Sequence, residues 1–152
     1  MITAEEYLSS CDDALDQMAG VARSLGDDLV SVRLEPSGNS VFGLATHCVG
    51  VMARWGRTVN RGIVVPRDRA AEFRATGTVQ EALDLLAAGC AGLHEDVAAT
   101  PDFRAVSANP PPDQEPQTCG AVLLHVHEEL TQHLGQMEVI RDVLLASRPA
   151  RP

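Results

Sequence analysis

The stretch AVLLHVHEELTQHLGQMEVIRDVLL, residues 121–145, decides how the rest of the chain is read. Its apolar residues recur every three or four positions, the period of an α-helix with one buried face. With successive side chains about 100° apart, Val122, Val126, Leu130, Leu134, Met137, Ile140 and Leu144 form one arc, flanked by Leu123. Glu128, Thr131, Gln132, Gly135, Glu138 and Asp142 fall opposite. Two polar residues break the pattern: His133 lies near the centre of the apolar arc, and Glu129, one turn earlier, lies within its edge. A carboxylate carried toward a core has to be paired, protonated or metal-bound, because an isolated buried charge is too costly. Glu129 and His133 are also i and i+4, so they leave the helix in one direction, as two ligands of one ion would. On this helix alone a simple Glu–His hydrogen bond explains the pair equally well.

Working outward, 152 residues suffice for one sizeable core, and a single domain over residues 1–152 is expected. Aromatics make up only 3% while Ala, Leu and Val abound, which favours packed helices over a β-sandwich. All 12 basic residues are Arg, a hint of a GC-rich genome. The net charge of -9 argues against nucleic-acid or anionic-membrane partners, since phosphate contacts need clustered cations. No run approaches the ~18 apolar residues of a membrane span, and MITAEEYL lacks the basic and apolar regions of a signal peptide, so a cytoplasmic protein is expected. Cys11, Cys48, Cys90 and Cys119 lack CxxC spacing and read as buried reduced thiols.

The other helices announce themselves by their caps. Thr3 and Glu6 have capping-box spacing and Gly26 closes a first helix over residues 3–25, with the stripe Leu8, Cys11, Leu15, Met18, Ala22 and Leu25. Asp12, Asp13 and Asp16 fall on its opposite face and read as a solvated acidic surface. Pro36, Ser37, Gly38 and Asn39 precede a second helix of about residues 40–59, whose stripe is Leu44, Cys48, Val51 and Trp55, with His47 at its border. A lone His there is more often a hydrogen-bonded core residue than a ligand, yet it is the best remaining candidate to meet Glu129 and His133 across a bundle. Thr78 and Glu81 repeat the capping box and start a third helix to about Ala99, with His94 as a boundary residue.

Two long connections remain. Residues 60–77 hold a short helical turn around 69–73 and, with Arg54 and Arg57, the only basic cluster: Arg61, Arg67, Arg69 and Arg74. These guanidiniums suit a carboxylate-bearing substrate or thiol, or else a solvated loop beside acidic helices. Residues 101–118 contain five of the nine prolines and must be an irregular crossover or lid. The expected fold is therefore all-α, a four-helix bundle with long crossover loops. No phosphate-binding glycine loop, Gly-x-Ser-x-Gly elbow or HExxH is present.

Three pieces of the chain, PSGNSVFGLATHCVGVMARWGR, VPRDRAAEFRATGTVQEALDLL and LLHVHEELTQHLGQMEVIRDVL, resemble the DinB-like superfamily. The resemblance is nearest to the N-terminal, metal-binding domain of mycothiol-dependent maleylpyruvate isomerases and related thiol transferases. It implies a divalent cation held by one His from helix two and by a Glu or His and a further His, four apart, on the last helix. The matching positions are His47, Glu129 and His133. Zinc is the first expectation for the cation, with nickel, iron or manganese as alternatives. The resemblance also implies a low-molecular-weight thiol as cosubstrate, mycothiol if the source is actinobacterial, its sulfur activated at the metal to attack a small electrophile.

His125 and His127 straddle the arc as weaker candidates, His125 as a supporting group or a substitute for Glu129. Gln136 stands where many relatives carry an additional His. The chain ends just after the bundle, so an activity other than maleylpyruvate isomerisation is expected. A non-catalytic metal- or ligand-binding stress protein, and a metal-assisted hydrolase or tailoring enzyme, stay open as alternatives. Exposed bundle faces allow a homodimer.

Overall fold

The computed structural model describes residues 2–34, 38–100, 102–113 and 115–148. The expected helices form. α1 spans Ala4–Leu25, with the Thr3/Glu6 capping box complete and Gly26 at φ 69° ending it. α2 spans Val41–Met52 from an N-cap at Ser40; Pro36 and Ser37 lie outside the described residues. α3 is the short turn Arg69–Glu72, capped by Asp68. α4 spans Val79–Ala98 behind the Thr78/Glu81 capping box, and α5 spans Cys119–Ala146 from Thr118.

The periodic stripes become the core. Met18, Leu25, Leu44, Leu93, Leu130 and Met137 are all fully enclosed. On α5 the arc from Val122 to Ile140 is buried, while Glu128, Thr131, Gln132, Gly135 and Asp142 face solvent. The cysteines are free, with Cys11, Cys48 and Cys119 buried and Cys90 half-buried. Among the described residues no helix is long and apolar enough to cross a membrane.

In cross-section each long helix packs mainly on two neighbours: α1 on α5 and α4, and α2 on the same two, leaving α1 diagonal to α2 with only a slight contact and α4 diagonal to α5. The connections 26–40 and 99–118 therefore cross the bundle, whereas 61–78 joins neighbours. Its length serves another purpose, since it folds α3 back onto α2. The proline-rich crossover is pinned by a single β-bridge between Val106 and Thr118 and by backbone bonds from Ala108 and Asn109 to the end of the second helix.

Three features differ from the sequence expectation. The second helix does not continue as α beyond Met52; residues 53–60 widen into a π-helical segment, a local underwinding frequent at functional sites. Asp96, on a helix read only for its apolar stripe, is buried and takes Arg57 from that segment and Arg61 from just beyond its end. Asp12 is not part of a uniformly solvated acidic face: it turns toward α4, where His94 donates to it. Capping and hydrophobic period do not report such cross-helix polar pairs.

Candidate metal centre

The end of α2 and the middle of α5 lie side by side, and this brings together the three residues singled out in the sequence. His47, only 1% exposed, faces α5 from α2. Its Nε2 lies 3.7 Å from Glu129 Oε2, and His133 Nε2 lies 3.2 Å from the same oxygen. One donor atom from each of the three falls within 4.8 Å of the other two. The rings of His47 and His133 meet edge to face, with centroids 4.8 Å apart. Of the adjacent carboxylates it is Glu129 that turns inward; the Glu128 side chain is 73% exposed.

The partners of the two histidines fix which nitrogen carries the proton. His47 Nδ1 sits 2.8 Å from Glu72 Oε2, and an ionised carboxylate can only accept, so Nδ1 donates. His47 Nε2 is then a lone pair, buried and without a hydrogen-bond partner among the described residues. Gln136 Oε1 lies 3.1 Å from His133 Nδ1; with Nδ1 donating there, the second Nε2 also presents a lone pair, 3.2 Å from Glu129 Oε2. Two imidazole lone pairs and a carboxylate oxygen thus converge on one point. Such a set repels itself until a proton or a cation sits between its members. Donors of this type fit a borderline divalent ion such as zinc, and three of them leave coordination positions free.

Burial pushes His47 below its usual range and outweighs the opposite pull of Glu72, so the imidazole is held neutral, as a ligand must be. Burial alone would raise the Glu72 carboxyl; the hydrogen bonds from Arg67 and His47 overcome it and the net shift is downward. Arg67 supplies a two-pronged grip, Nε to Oε1 at 2.6 Å and Nη2 to Oε2 at 2.8 Å. Phe73 stacks on the His47 ring at 4.2 Å. The carboxylate can come this close to α2 because residue 50 is glycine: a Cβ there would collide with Glu72 Oε1.

Glu72 and Phe73, which support His47, were not singled out in reading the sequence, and Arg67 entered only as one of the basic cluster. The only signal was their place in an unusually long connection between neighbouring helices. The basic cluster has largely found internal partners: Arg57 and Arg61 pair with Asp96, Arg67 with Glu72, and Arg69 lies over the Phe73 ring. Arg54 and Arg67 line a cavity of about 310 Å³ behind Glu72. His125 stands beside the three, with Nε2 3.6 Å from Glu129 Oε1 and its ring against Trp55 of the π segment. His127 joins none of these contacts and contributes its carbonyl to Thr131.

Comparison with known proteins agrees with this architecture. The chain superposes on a conserved protein from Enterococcus faecalis with a TM-score of 0.77 at 14% identity, covering 97% of this chain and 99% of that one. It also superposes on a DinB-like protein from Bacillus cereus with a TM-score of 0.70 at 15% identity, over 97% of both chains. At such identities the likeness establishes the fold. A search of curated proteins returns no match. A family profile described as Mycothiol-S-transferase matches residues 7–145, from the first helix through nearly the whole of α5, and by this extent the chain belongs to the mycothiol-S-transferase family.

Proposed function

We propose that the protein is a divalent-metal-dependent thiol S-transferase, with His47, Glu129 and His133 holding the cation and zinc its most fitting occupant. The observation that supports this reading most is the enclosed, unpartnered His47 Nε2 aimed at Glu129 and His133. The nucleophile is a low-molecular-weight thiol, mycothiol on the strength of the family, and the acceptor a small electrophile. When bound, the cation supplies Lewis acidity that keeps a thiol sulfur ionised near neutral pH. Glu72 holds the His47 ring in one tautomer and one orientation, the role of an outer carboxylate in carboxylate–histidine–metal relays. Glu129 supplies negative charge to the site. His125, a third exposed beside it, stands where a thiol cosubstrate would approach. A cytoplasmic location follows from the need for a reduced thiol pool.

The test is elemental analysis of the purified protein followed by thiol-conjugation assays. Wild type carries divalent metal at this centre and consumes mycothiol with electrophilic substrates, and the His47→Ala, His133→Ala double variant loses that equivalent of metal together with the activity. Full metal retention in that variant would sink the assignment. Saturable thiol binding without turnover would make the protein a binding module on the same fold.

A further inference from the structure

On the opposite seam of the bundle, between α1 and α4, a second set of donors converges that the centre above does not use. Cys90 and His94 are i and i+4 on α4 and project in one direction, a turn apart. Asp12 reaches toward them from α1. His94 Nε2 lies 2.8 Å from Asp12 Oδ1 and 3.1 Å from Oδ2, and the Cys90 thiol points at Oδ1 from 3.3 Å. One sulfur, one nitrogen and one oxygen fall within 4.8 Å of one another. They line a cleft of about 680 Å³ with an apolar wall that includes Leu15 and Leu86.

We propose that Asp12, Cys90 and His94 form an auxiliary site for a thiophilic divalent cation of the zinc class, clamping α1 to α4. The donor set argues the metal: mixed S, N and O ligation suits zinc, cobalt or cadmium and disfavours magnesium and calcium, which take oxygen alone. In the metal-free protein Asp12 accepts from both neighbours, so two hydrogens occupy the point where the three ligand atoms meet. Binding replaces them. The thiol proton leaves to solvent as the metal–sulfur bond forms, the Nε2 proton of His94 exchanges through solvent to Nδ1 so that Nε2 coordinates from a neutral ring, and no electron is transferred. Asp16, one turn beyond Asp12 and lining the same cleft, adds negative potential at the mouth. His94 is 45% exposed at its side chain and Asp12 38%, so the ion exchanges with solvent and the cleft has room for a fourth ligand.

Cobalt(II) titration of the intact protein tests this, because only a cysteine ligand gives an intense thiolate-to-cobalt charge-transfer band in the near ultraviolet. The three residues of the first centre include no sulfur, so the two assignments fail separately. The expected result is the band in wild type and in His47→Ala, His133→Ala, with its loss in Cys90→Ser and weakening in Asp12→Asn. No band in wild type, or a band unchanged by Cys90→Ser, overturns the proposal. Should the double variant not fold, the Cys90→Ser and His94→Ala single variants in the otherwise wild-type chain decide it, since the band reports on sulfur alone.

Discussion

His47 is a buried imidazole whose two nitrogens have unlike neighbours. One side meets a carboxylate locked by Arg67, and the other meets Glu129 at a distance too long for a hydrogen bond. This asymmetry keeps the ring neutral and oriented without making it an ordinary core histidine. Glu72→Gln removes the charge that fixes the tautomer while leaving the bulk in place. It is expected to weaken metal binding by about 10–100-fold, read by competition with a colorimetric chelator, with the fold retained by circular dichroism. Both groups also bear on acid stability in the metal-free protein. His47 and Glu72 each titrate below their ordinary values of 6.5 and 4.5. The unfolded chain therefore takes up protons first, and stability is lost as pH falls, through His47 below 6.5 and then through Glu72 below 4.5. The urea midpoint of the metal-free protein should drop steadily from neutral pH into the carboxylate range, and a midpoint that rises on acidification would contradict the assignment. The inward Glu129 and His133 were legible as polar residues on an apolar arc; Glu72 was not, because its partner is far away in sequence.

At the scale of elements, the site depends on how closely α3 and the π segment lie against α2 and α5. Gly50 admits the Glu72 carboxylate, and the π segment carries Trp55 to His125 on one side and Arg57 to Asp96 on the other. Gly50→Ala raises helix propensity, yet its methyl would occupy the position of Glu72 Oε1. Glu72 can swing away only by releasing His47 and Arg67. The expected outcome is an unchanged or higher helix content together with a loss of metal affinity similar to that of Glu72→Gln, measured side by side. A tight-binding Gly50→Ala variant would show that the carboxylate is dispensable. The caps of α1 and α4 were legible from the Thr3/Glu6 and Thr78/Glu81 spacings, whereas the Ser40 and Thr118 caps came from the structure. The π widening was not, because ARWGRTVN carries no proline or other local signal and the widening accompanies tertiary contacts of Trp55, Arg57 and Arg61.

For the whole molecule, the square arrangement in which α1 and α4 never share a side with α2 and α5 respectively puts the two seams to different uses. The α2–α5 seam holds His47, Glu129 and His133, and the α1–α4 seam holds Asp12, Cys90 and His94. Between them lies a core of aliphatic and sulfur side chains with Met18 and Met137 fully enclosed. Met137→Ala removes buried volume two helix turns from Leu130 and is expected to destabilise the fold by about 2–5 kcal/mol, read from denaturant unfolding. It should leave metal stoichiometry at the first centre unchanged, because Met137 supplies no ligand.

The sequence by itself determined the number of long helices, the capping boxes of α1 and α4, the buried arc of α5 and the pair Glu129 and His133 as polar residues on that arc, all consequences of local period and local hydrogen bonding. It also carried the resemblance that joined His47 to that pair. Only the tertiary structure decided which loop crosses the bundle and which folds back, that Glu72 and Arg67 grip His47, and that Asp12 meets Cys90 and His94. Those contacts to His47 and Asp12 join residues 20 to 82 positions apart, and helical period says which way a side chain leaves its own helix but not what stands opposite it. The long α5 that set the frame thus showed Glu129 and His133 in advance, while the residues that hold His47 in place beside them became visible only once the chain had folded back.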